Sequence, residues 1–307
     1  MARDVVLVTG GNSGIGFECA RQLARAGWHV LIASRNRQAS AEAVDRIARD
    51  SGADAASELG LDLGSTAAVR QFVREIDARD VPLRALVCNA GLQVHKGPSL
   101  SPDGYELTFA VNHLGHFLLT NLLLARLVRN APARIVIVAS GVHDPKFRTG
   151  MPKPAVADLA TLAATGGPRA GAFDGRLAYV NSKLCNLWFT YELIRRIEAA
   201  GLSREGRWVS VNAFEPGLVP GSGLARDYPP VLRFIWDRVL PGLARVLSPA
   251  VPSINPADGR YFPSHARWRE ARSSDASYDQ APARALWDAS VGFARLAPGE
   301  SPLLTSA

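Results

Sequence analysis

Short apolar runs alternate with amphipathic stretches along most of the chain. The first run, at 5–8, predicts a buried strand, which leads through a glycine-rich turn into a helix at 17–26. Further strands are predicted at 28–34, at a run ending at 62, and at 85–89, 134–140, 208–215 and near 260–262. Further helices are predicted at 38–49, 65–79, 105–129 and 179–200. This alternation predicts an α/β fold, a doubly wound parallel sheet of about seven strands with helices on both faces.

The pattern changes after the sixth predicted strand. Residues 218–227 are loop-like, and 230–247 carries large apolar residues at helical spacing. These residues are Leu232, Ile235, Trp236, Val239 and Leu243. A segment inserted at about 218–250 lies beyond the strand ends, where such sheets bind ligands. We interpret this segment as a lid over the substrate; the alternative is a surface helix packed on the core.

The composition fits one large folded unit. Hydrophobic residues make up 47% of the chain, which is enough for a sizeable core. Because we find no internal repeat and no linker, we expect a single domain over 1–307, with an irregular excursion at 145–174. The three cysteines have neither metal nor disulfide spacing, which predicts no metal site and fits a reduced cytosol.

The charge and the hydropathy limit the partners. The net charge of +7 comes mostly from scattered arginines, without a basic block interleaved with aromatics. This argues against nucleic acid and suits an anionic cofactor. The longest apolar run, 117–128, is broken by Asn121 and Arg126, so no membrane-spanning segment is expected. Because the first strand begins at once, no signal peptide is expected either, and we predict a cytoplasmic protein.

The glycine-rich turn between the first strand and the first helix predicts an anion site. Its candidate cofactor-binding residues are Gly10, Asn12, Ser13, Gly14, Ile15 and Gly16. Glycines let the backbone approach a ligand closely, and a helix N-terminus favours negative charge. The expected ligand is the pyrophosphate of a dinucleotide, and the alternative is a simple strand-to-helix turn.

Three further candidates follow the second and third strands. Arg35 comes where the adenosine ribose would lie, and no acidic residue is near it, so we predict NADP(H) rather than NAD. The alternative is a solvated surface arginine. Asp62, with the adjoining Leu63, ends the third predicted strand and would accept from the adenine amino group. Alternatively, Asp62 caps the following helix.

The fourth strand closes with Asn89, Ala90 and Gly91. Their small size leaves room for the flat surface of a cofactor.

Tyr179 and Lys183 lie four residues apart on a predicted helix, so their side chains share one face. Reduction of a carbonyl needs a proton donor, and a free tyrosine, with a pKa of about 10, gives its proton reluctantly. The lysine cation and a positive nicotinamide would stabilise the phenolate and lower that pKa by about three units. Such a pair alone is common on helix surfaces. Ser140, at the end of the fifth predicted strand, strengthens the case because its hydroxyl would orient the substrate oxygen.

Asn112 interrupts the long helix predicted at 105–129. Asparagine, and the nearby Gly115, both cost helix propensity. One explanation is a local kink that holds a water for proton relay. The other is a buried asparagine that hydrogen-bonds a neighbouring backbone.

Taken together, these residues resemble the short-chain dehydrogenase/reductase superfamily, whose domain is a Rossmann-type sheet. The resemblance implies that Asn112, Ser140, Tyr179 and Lys183 form a catalytic tetrad. It also implies that Pro216, Gly217 and Val219 line the nicotinamide. One departure is Gly221, where the family usually has threonine just beyond its Pro-Gly pair.

Within the superfamily, the chain looks most like the branch of light-dependent protochlorophyllide reductases and retinol dehydrogenases. The motifs are Asp103-Gly104-Tyr105-Glu106-Leu107, Asn112-His113-Leu114-Gly115-His116-Phe117 and Ser182-Lys183-Leu184-Cys185-Asn186. Cys185 matches a cysteine of the pigment-reducing enzymes, although a small buried residue is the simpler interpretation.

Three functions follow. The leading one is NADP(H)-dependent hydride transfer to or from a small hydrophobic carbonyl or alcohol, with Tyr179 as general acid or base. The second is light-driven reduction of a porphyrin-type double bond, and the third is a non-catalytic NADP sensor. The helices at 105–129 and 179–200 would pair subunits in a homodimer; a monomer is the alternative. The apolar residues at 234–236 fit either the lid or peripheral membrane contact.

Overall fold

The strands and helices alternate along the chain as the sequence predicts. The computed structural model describes residues 3–94, 97–147, 149–156, 158–167, 173–204, 206–217, 260–263 and 270–304. The strands are β1 (Val5–Thr9), β2 (His29–Ser34), β3 (Ala56–Gly60), β4 (Leu83–Cys88), β5 (Ala133–Val138), β6 (Val209–Glu215) and β7 (Tyr261–Pro263). The helices are α1 (Gly14–Arg25), α2 (Arg37–Ser51), α3 (Thr66–Ala78), α4 (Leu107–Arg129), α5 (Leu159–Thr165), α6 (Gly175–Ala199) and α7 (Gln280–Phe293). The predicted lid at 218–250, with Val219 and Gly221, lies outside the described residues.

All seven strands pair in parallel, in the order β3-β2-β1-β4-β5-β6-β7. This confirms the predicted α/β class and the doubly wound sheet. The strand order reverses direction between β1 and β4, and in such sheets the crevice beyond the carboxyl ends of these two strands is where ligands bind.

Both faces of the sheet are buried. Along β1, Val5 and Leu7 belong to one apolar layer, and Val6 and Val8 belong to the other. This is the period-two alternation of a strand that is covered by helices on both sides. Helices α1 and α2 cover one face, whereas α3, α4 and α6 cover the other.

Helix α4 is long and apolar enough to cross a membrane by length and composition. Its most apolar window has a mean hydropathy of 1.3, but 89% of that window is buried inside the protein. Burial of this kind is the behaviour of a core helix that packs between a sheet and other helices.

Two elements differ from the prediction. The excursion at 145–174 contains α5, which Asp158 caps by accepting from the amide of Thr161 at 2.7 Å. Helix α7 was not predicted, and it packs its buried Leu286 and Trp287 towards α6. Its amphipathic signal is short and is interrupted by Pro282, which sits in the first turn where proline is tolerated.

Two strands end two residues earlier than predicted, and β4 ends one residue earlier. β5 ends at Val138, so Ser140 lies two residues beyond it and begins a short 3₁₀ turn. β3 ends at Gly60, so Asp62 follows the strand instead of ending it. In both cases one more backbone hydrogen bond follows the strand, from the amide of Ala139 to the Phe214 carbonyl at 2.8 Å and from the amide of Leu61 to the Ser34 carbonyl at 3.0 Å.

Candidate active site

The predicted site residues converge on one edge of the sheet. Because the strands are parallel, the segments that follow their carboxyl ends meet there. The residues that the structure brings to this edge are Gly10, Arg35, Asp62, Asn89, Ser140 and Glu215.

The glycine-rich turn is shaped by close backbone approach. Gly10 and Gly14 have positive φ angles of 65° and 56°, which favour glycine. A Cβ at Gly16 would collide with the carbonyl oxygen of Gly10 and with the side-chain amide of Asn89. Ser13 is the N-cap of α1, yet within the described chain its side chain makes no capping hydrogen bond. The turn therefore leaves the first amides of α1 to an anion, and the residues present fit a dinucleotide pyrophosphate. Asn12 and Ile15 lie half-buried in the same turn.

The turn after β4 is tied to the end of β1. The Thr9 hydroxyl accepts from the amides of Asn89 and Ala90, both at 2.9 Å. The Asn89 side chain donates to the Thr9 carbonyl at 2.8 Å. Gly91 is exposed, and a Cβ there would lie 3.3 Å from Asn112 Oδ1 and 3.7 Å from Lys183 Nζ. The small residues after β4 therefore form a floor beside the predicted tetrad.

The two arginines after β2 differ in their partners. Arg37 pairs with Glu58 at 3.0 Å. Arg35 is exposed, and within the described residues it makes no hydrogen bond or ion pair. Asn36, between them, caps α2 by accepting from the amide of Ala39 at 3.0 Å. Arg35 therefore has no partner among the described residues, and it lies just before the N-terminus of α2.

Asp62 forms a local turn instead of a helix cap. Its Oδ1 accepts from the amide of Gly64 at 2.9 Å, whereas Ser65 caps α3. The following Leu63 is buried, and a Cβ on Gly115 would collide with its carbonyl oxygen. Asp62 and Leu63 are thus held against α4 at the edge where adenine would lie.

Asn112 lies in a π-helical turn of α4, Ala110–Leu114, which supplies the predicted local irregularity. Its side chain is fully buried and hydrogen-bonded on both sides. Oδ1 accepts from the amide of Leu92 at 2.8 Å, and Nδ2 donates to the Leu92 carbonyl at 2.9 Å and to the Ser182 hydroxyl at 3.0 Å. The structure therefore has both features that the sequence offered as alternatives, the irregular turn and the backbone-bonded asparagine. The water relay stays a prediction.

Tyr179, Lys183 and Ser140 come together at the end of β5. Lys183 Nζ lies 5.5 Å from the centre of the Tyr179 ring and donates to the Val138 carbonyl at 3.1 Å. Burial raises the pKa of Tyr179 to about 12, and a hydrogen bond with Ser140 partly opposes this. Burial also lowers the pKa of Lys183 to about 8.

Lys183 by itself does not lower the pKa of Tyr179, and the lowering predicted for Lys183 together with a positive nicotinamide stays a prediction. The ammonium faces the ring and a backbone carbonyl, and the cost of burying a phenolate outweighs its attraction.

Two site residues escaped the sequence analysis. Glu215 is buried at the end of β6, where it accepts from the amide of Gly217 at 2.6 Å, and its charge adds to the raised pKa of Tyr179. Pro216, between them, is buried as well. The sequence signal was a carboxylate at the end of a predicted strand, directly before Pro-Gly.

His143, the second of these residues, holds the segment that carries Ser140. Its Nδ1 donates to the Ser140 carbonyl at 2.6 Å, and its Nε2 accepts from the amide of Ser274 at 3.2 Å. The ring thereby joins the turn after β5 to the C-terminal part of the chain. No local sequence signal identifies this role, because Ser274 lies far away along the chain.

Comparison with known proteins relates this architecture to enzymes. A family model described as short chain dehydrogenase matches residues 4–151. The chain is 36% identical over 291 residues to the WW domain-containing oxidoreductase of Homo sapiens, covering 92% of this chain but only 66% of that protein. It is 33% identical over 309 residues to the short-chain dehydrogenase TIC 32 A, chloroplastic, of Brassica napus, covering 95% of this chain and 89% of that protein. It is 35% identical over 253 residues to protochlorophyllide reductase A, chloroplastic, of Oryza sativa subsp. japonica, covering 77% and 63%.

Solved structures agree with the fold. A crystal structure of an uncharacterized protein from Mycobacterium Paratuberculosis superposes with a TM-score of 0.72 at 29% identity, covering 96% of this chain and 94% of that chain. The Pseudomonas aeruginosa RhlG/NADP active-site complex superposes with a TM-score of 0.53 at 26% identity, covering 72% and 75%.

Proposed function

The chain belongs to the short-chain dehydrogenase family, and we propose that it transfers hydride between NADP(H) and a small hydrophobic carbonyl or alcohol. The family model and the relatives support the oxidoreductase class that the resemblance predicted. One of these relatives is a protochlorophyllide reductase, which agrees with the predicted branch. The observation that carries the finer proposal is the grouping of Ser140, Tyr179 and Lys183 beside the open surface at Gly91.

Each side chain then has a role in carbonyl reduction. When bound, the nicotinamide supplies the hydride that adds to the carbonyl carbon. Ser140 holds the substrate oxygen, and Tyr179 gives its phenolic proton to that oxygen as the C=O double bond becomes single. Lys183 faces the ring of the resulting phenolate and stabilises its charge. Asn112 holds the segment at Leu92 and the hydroxyl of Ser182 in register with the site.

The choice of NADP(H) is supported by the uncommitted charge of Arg35 and by the NADP bound in the Pseudomonas aeruginosa structure. We expect the R35Q variant to bind NADPH about 10- to 100-fold more weakly while its NADH affinity stays within about threefold, because a charge-assisted phosphate contact is worth about 1.5–3 kcal/mol. Nicotinamide fluorescence titration measures both dissociation constants.

The R37Q variant is the matched control, because Arg37 is already paired with Glu58. It should leave NADPH affinity within about threefold of the parent, since the Arg37 guanidinium is engaged by Glu58 instead of facing a ligand. Equal losses of NADPH and NADH affinity in R35Q would contradict the assignment of the 2′-phosphate to Arg35.

The charge of Glu215 affects the pH dependence that we expect for catalysis. Its carboxylate holds the pKa of Tyr179 up, so the E215Q variant should have a lower Tyr179 pKa. Alcohol oxidation needs the phenolate, and its rise in kcat/KM with pH should therefore move to lower pH by up to about one pH unit.

The glutamine of E215Q retains an oxygen for the Gly217 amide, whereas E215A loses both the bond and the charge. A profile that shifts in E215A but not in E215Q would assign the effect to the position of the Pro-Gly turn instead of to charge.

The activity itself is tested by NADPH consumption against lipophilic aldehydes, ketones and retinoids in the dark, then with protochlorophyllide under light. Dark turnover supports the proposal. Turnover only under light would transfer the protein to the pigment-reducing chemistry that one relative's name states. Tight NADPH binding without turnover on the whole panel would favour the sensor.

Cys185 bears on the light-driven alternative. Its side chain is fully buried in the apolar layer, and burial raises the pKa of its thiol far above the ordinary value. This burial supports the interpretation of Cys185 as a small buried residue. The cytoplasmic location, the lid and the choice between monomer and homodimer stay predictions.

A further inference from the structure

A buried histidine of α4 connects the end of β1 to the catalytic turn. His116 Nε2 lies 2.9 Å from the Thr9 hydroxyl, and its Nδ1 lies 3.2 Å from the backbone carbonyl of Asn112. The ring is 2% exposed, so water does not compete for these two contacts. Thr9 precedes the glycine-rich turn, and Asn112 is the centre of the π-helical turn. One side chain thus touches both halves of the site.

The hydrogen-bonding capacity of the partners fixes the tautomer of His116. The Asn112 carbonyl only accepts, so Nδ1 must carry the proton. The two lone pairs of the Thr9 hydroxyl are taken by the amides of Asn89 and Ala90. Thr9 therefore donates its own proton, and the shorter of its two acceptor contacts is His116 Nε2 at 2.9 Å, against 3.2 Å for the Val87 carbonyl.

The charge state agrees with this directed chain. Burial, together with the nearby Lys183 cation, lowers the pKa of His116 to about 4, so the ring is neutral around pH 7. Only a neutral ring donates through one nitrogen while accepting through the other.

We propose that His116 is a positioning residue that couples the cofactor-binding turns to the catalytic asparagine turn through the Thr9–His116–Asn112 hydrogen bonds. Fixing Thr9 holds the amides of Asn89 and Ala90, which form the floor for the cofactor. Fixing the Asn112 carbonyl holds the π-helical turn in place, and with it the Asn112 side chain that bonds Leu92 and Ser182. The inference rests on the proposed oxidoreductase function where it concerns turnover.

Two substitutions each keep one of the two bonds. In H116N the side-chain amide reaches the position of Nδ1 and retains the bond to Asn112. In H116Q the amide oxygen reaches the position of Nε2 and retains the bond to Thr9. We expect H116N to weaken NADPH binding about tenfold at nearly unchanged kcat, and H116Q to lower kcat about tenfold at nearly unchanged NADPH affinity, because each loses about one hydrogen bond.

His113 provides the control on the same helix. It is also buried and neutral, with its pKa lowered by burial to about 3, but it bonds the Ser290 hydroxyl of α7 at 2.9 Å. The H113N variant should lower the midpoint of thermal unfolding while kcat and NADPH affinity stay within about twofold. H116N and H116Q variants that both behave like H113N would reduce His116 to a packing residue.

The tautomer gives a readout that needs neither turnover nor cofactor. Long-range ¹H–¹⁵N spectra of ¹⁵N-histidine-labelled protein, assigned with H116Q, should show His116 protonated at Nδ1 at neutral pH. Protonation at Nε2 would overturn the coupling, whatever the variants do. A parent enzyme that turns over nothing would defeat the proposed function but leave this spectrum, and the NADPH titrations, as a test of the coupling.

Discussion

The Y179F variant is expected to lose about 10²- to 10⁴-fold in kcat for carbonyl reduction, the range typical of a removed general acid. The phenyl ring keeps the packing against Lys183, whose Nζ lies 5.5 Å from the ring centre, so the fold and the NADPH affinity should change little. Only the hydroxyl that hydrogen-bonds Ser140 is removed. Stopped-flow or steady-state NADPH oxidation with a substrate from the dark panel measures the loss.

Tyr191 offers a matched control on the same helix. It is buried, it lies twelve residues after Tyr179 on α6, and its hydroxyl bonds the Ser273 hydroxyl at 2.6 Å. The Y191F variant removes an equally buried phenol and should cost stability while kcat stays within about twofold. Retention of turnover in Y179F, within about threefold of the parent, would refute Tyr179 as the proton donor.

The sequence was sufficient for those features that depend on local pattern. Alternating apolar runs predicted the strands, and the glycine-rich turn predicted where a ligand meets a helix N-terminus. Strand ends were less certain, because Ala139 is apolar and buried and still donates its amide to the Phe214 carbonyl at 2.8 Å, although β5 ends at Val138. Ser140 therefore lies in a turn, where its backbone carbonyl is free to bond His143.

What the sequence could not predict depends on partners that are distant along the chain. Asn112 bonds Ser182 across the interface of two helices, and His143 bonds Ser274 in the C-terminal segment. The effect of burial on the pKa of Tyr179 was also not visible in the sequence. A spacing of four residues brings Lys183 near the ring, but it does not show that burial of both groups outweighs their attraction.

The G16A variant is expected to weaken NADPH binding by about 10- to 100-fold. A Cβ at this position collides with the Gly10 carbonyl oxygen and the Asn89 side-chain amide. Neither neighbour yields easily, since Gly10 is backbone with a φ of 65° and Asn89 is bonded to the Thr9 carbonyl at 2.8 Å. Overpacking costs about 1–3 kcal/mol, and here the strain falls on the peptide groups that would face the pyrophosphate. Fluorescence titration with NADPH, alongside thermal unfolding, measures both consequences.

Gly292 supplies the control, because a Cβ there meets nothing within 4 Å and the residue lies in a helix. The G292A variant should bind NADPH normally and gain up to about 1 kcal/mol in stability. If G16A folds and binds NADPH within about threefold of the parent, the turn accommodates a Cβ at this position. The close backbone packing around Gly16 would then not be needed for cofactor binding. If G16A binds weakly with an unfolding midpoint near that of the parent, the damage is confined to the turn. That outcome would tie the anion site to the contact between β1, α1 and the floor after β4, the same contact that Thr9 shares with His116.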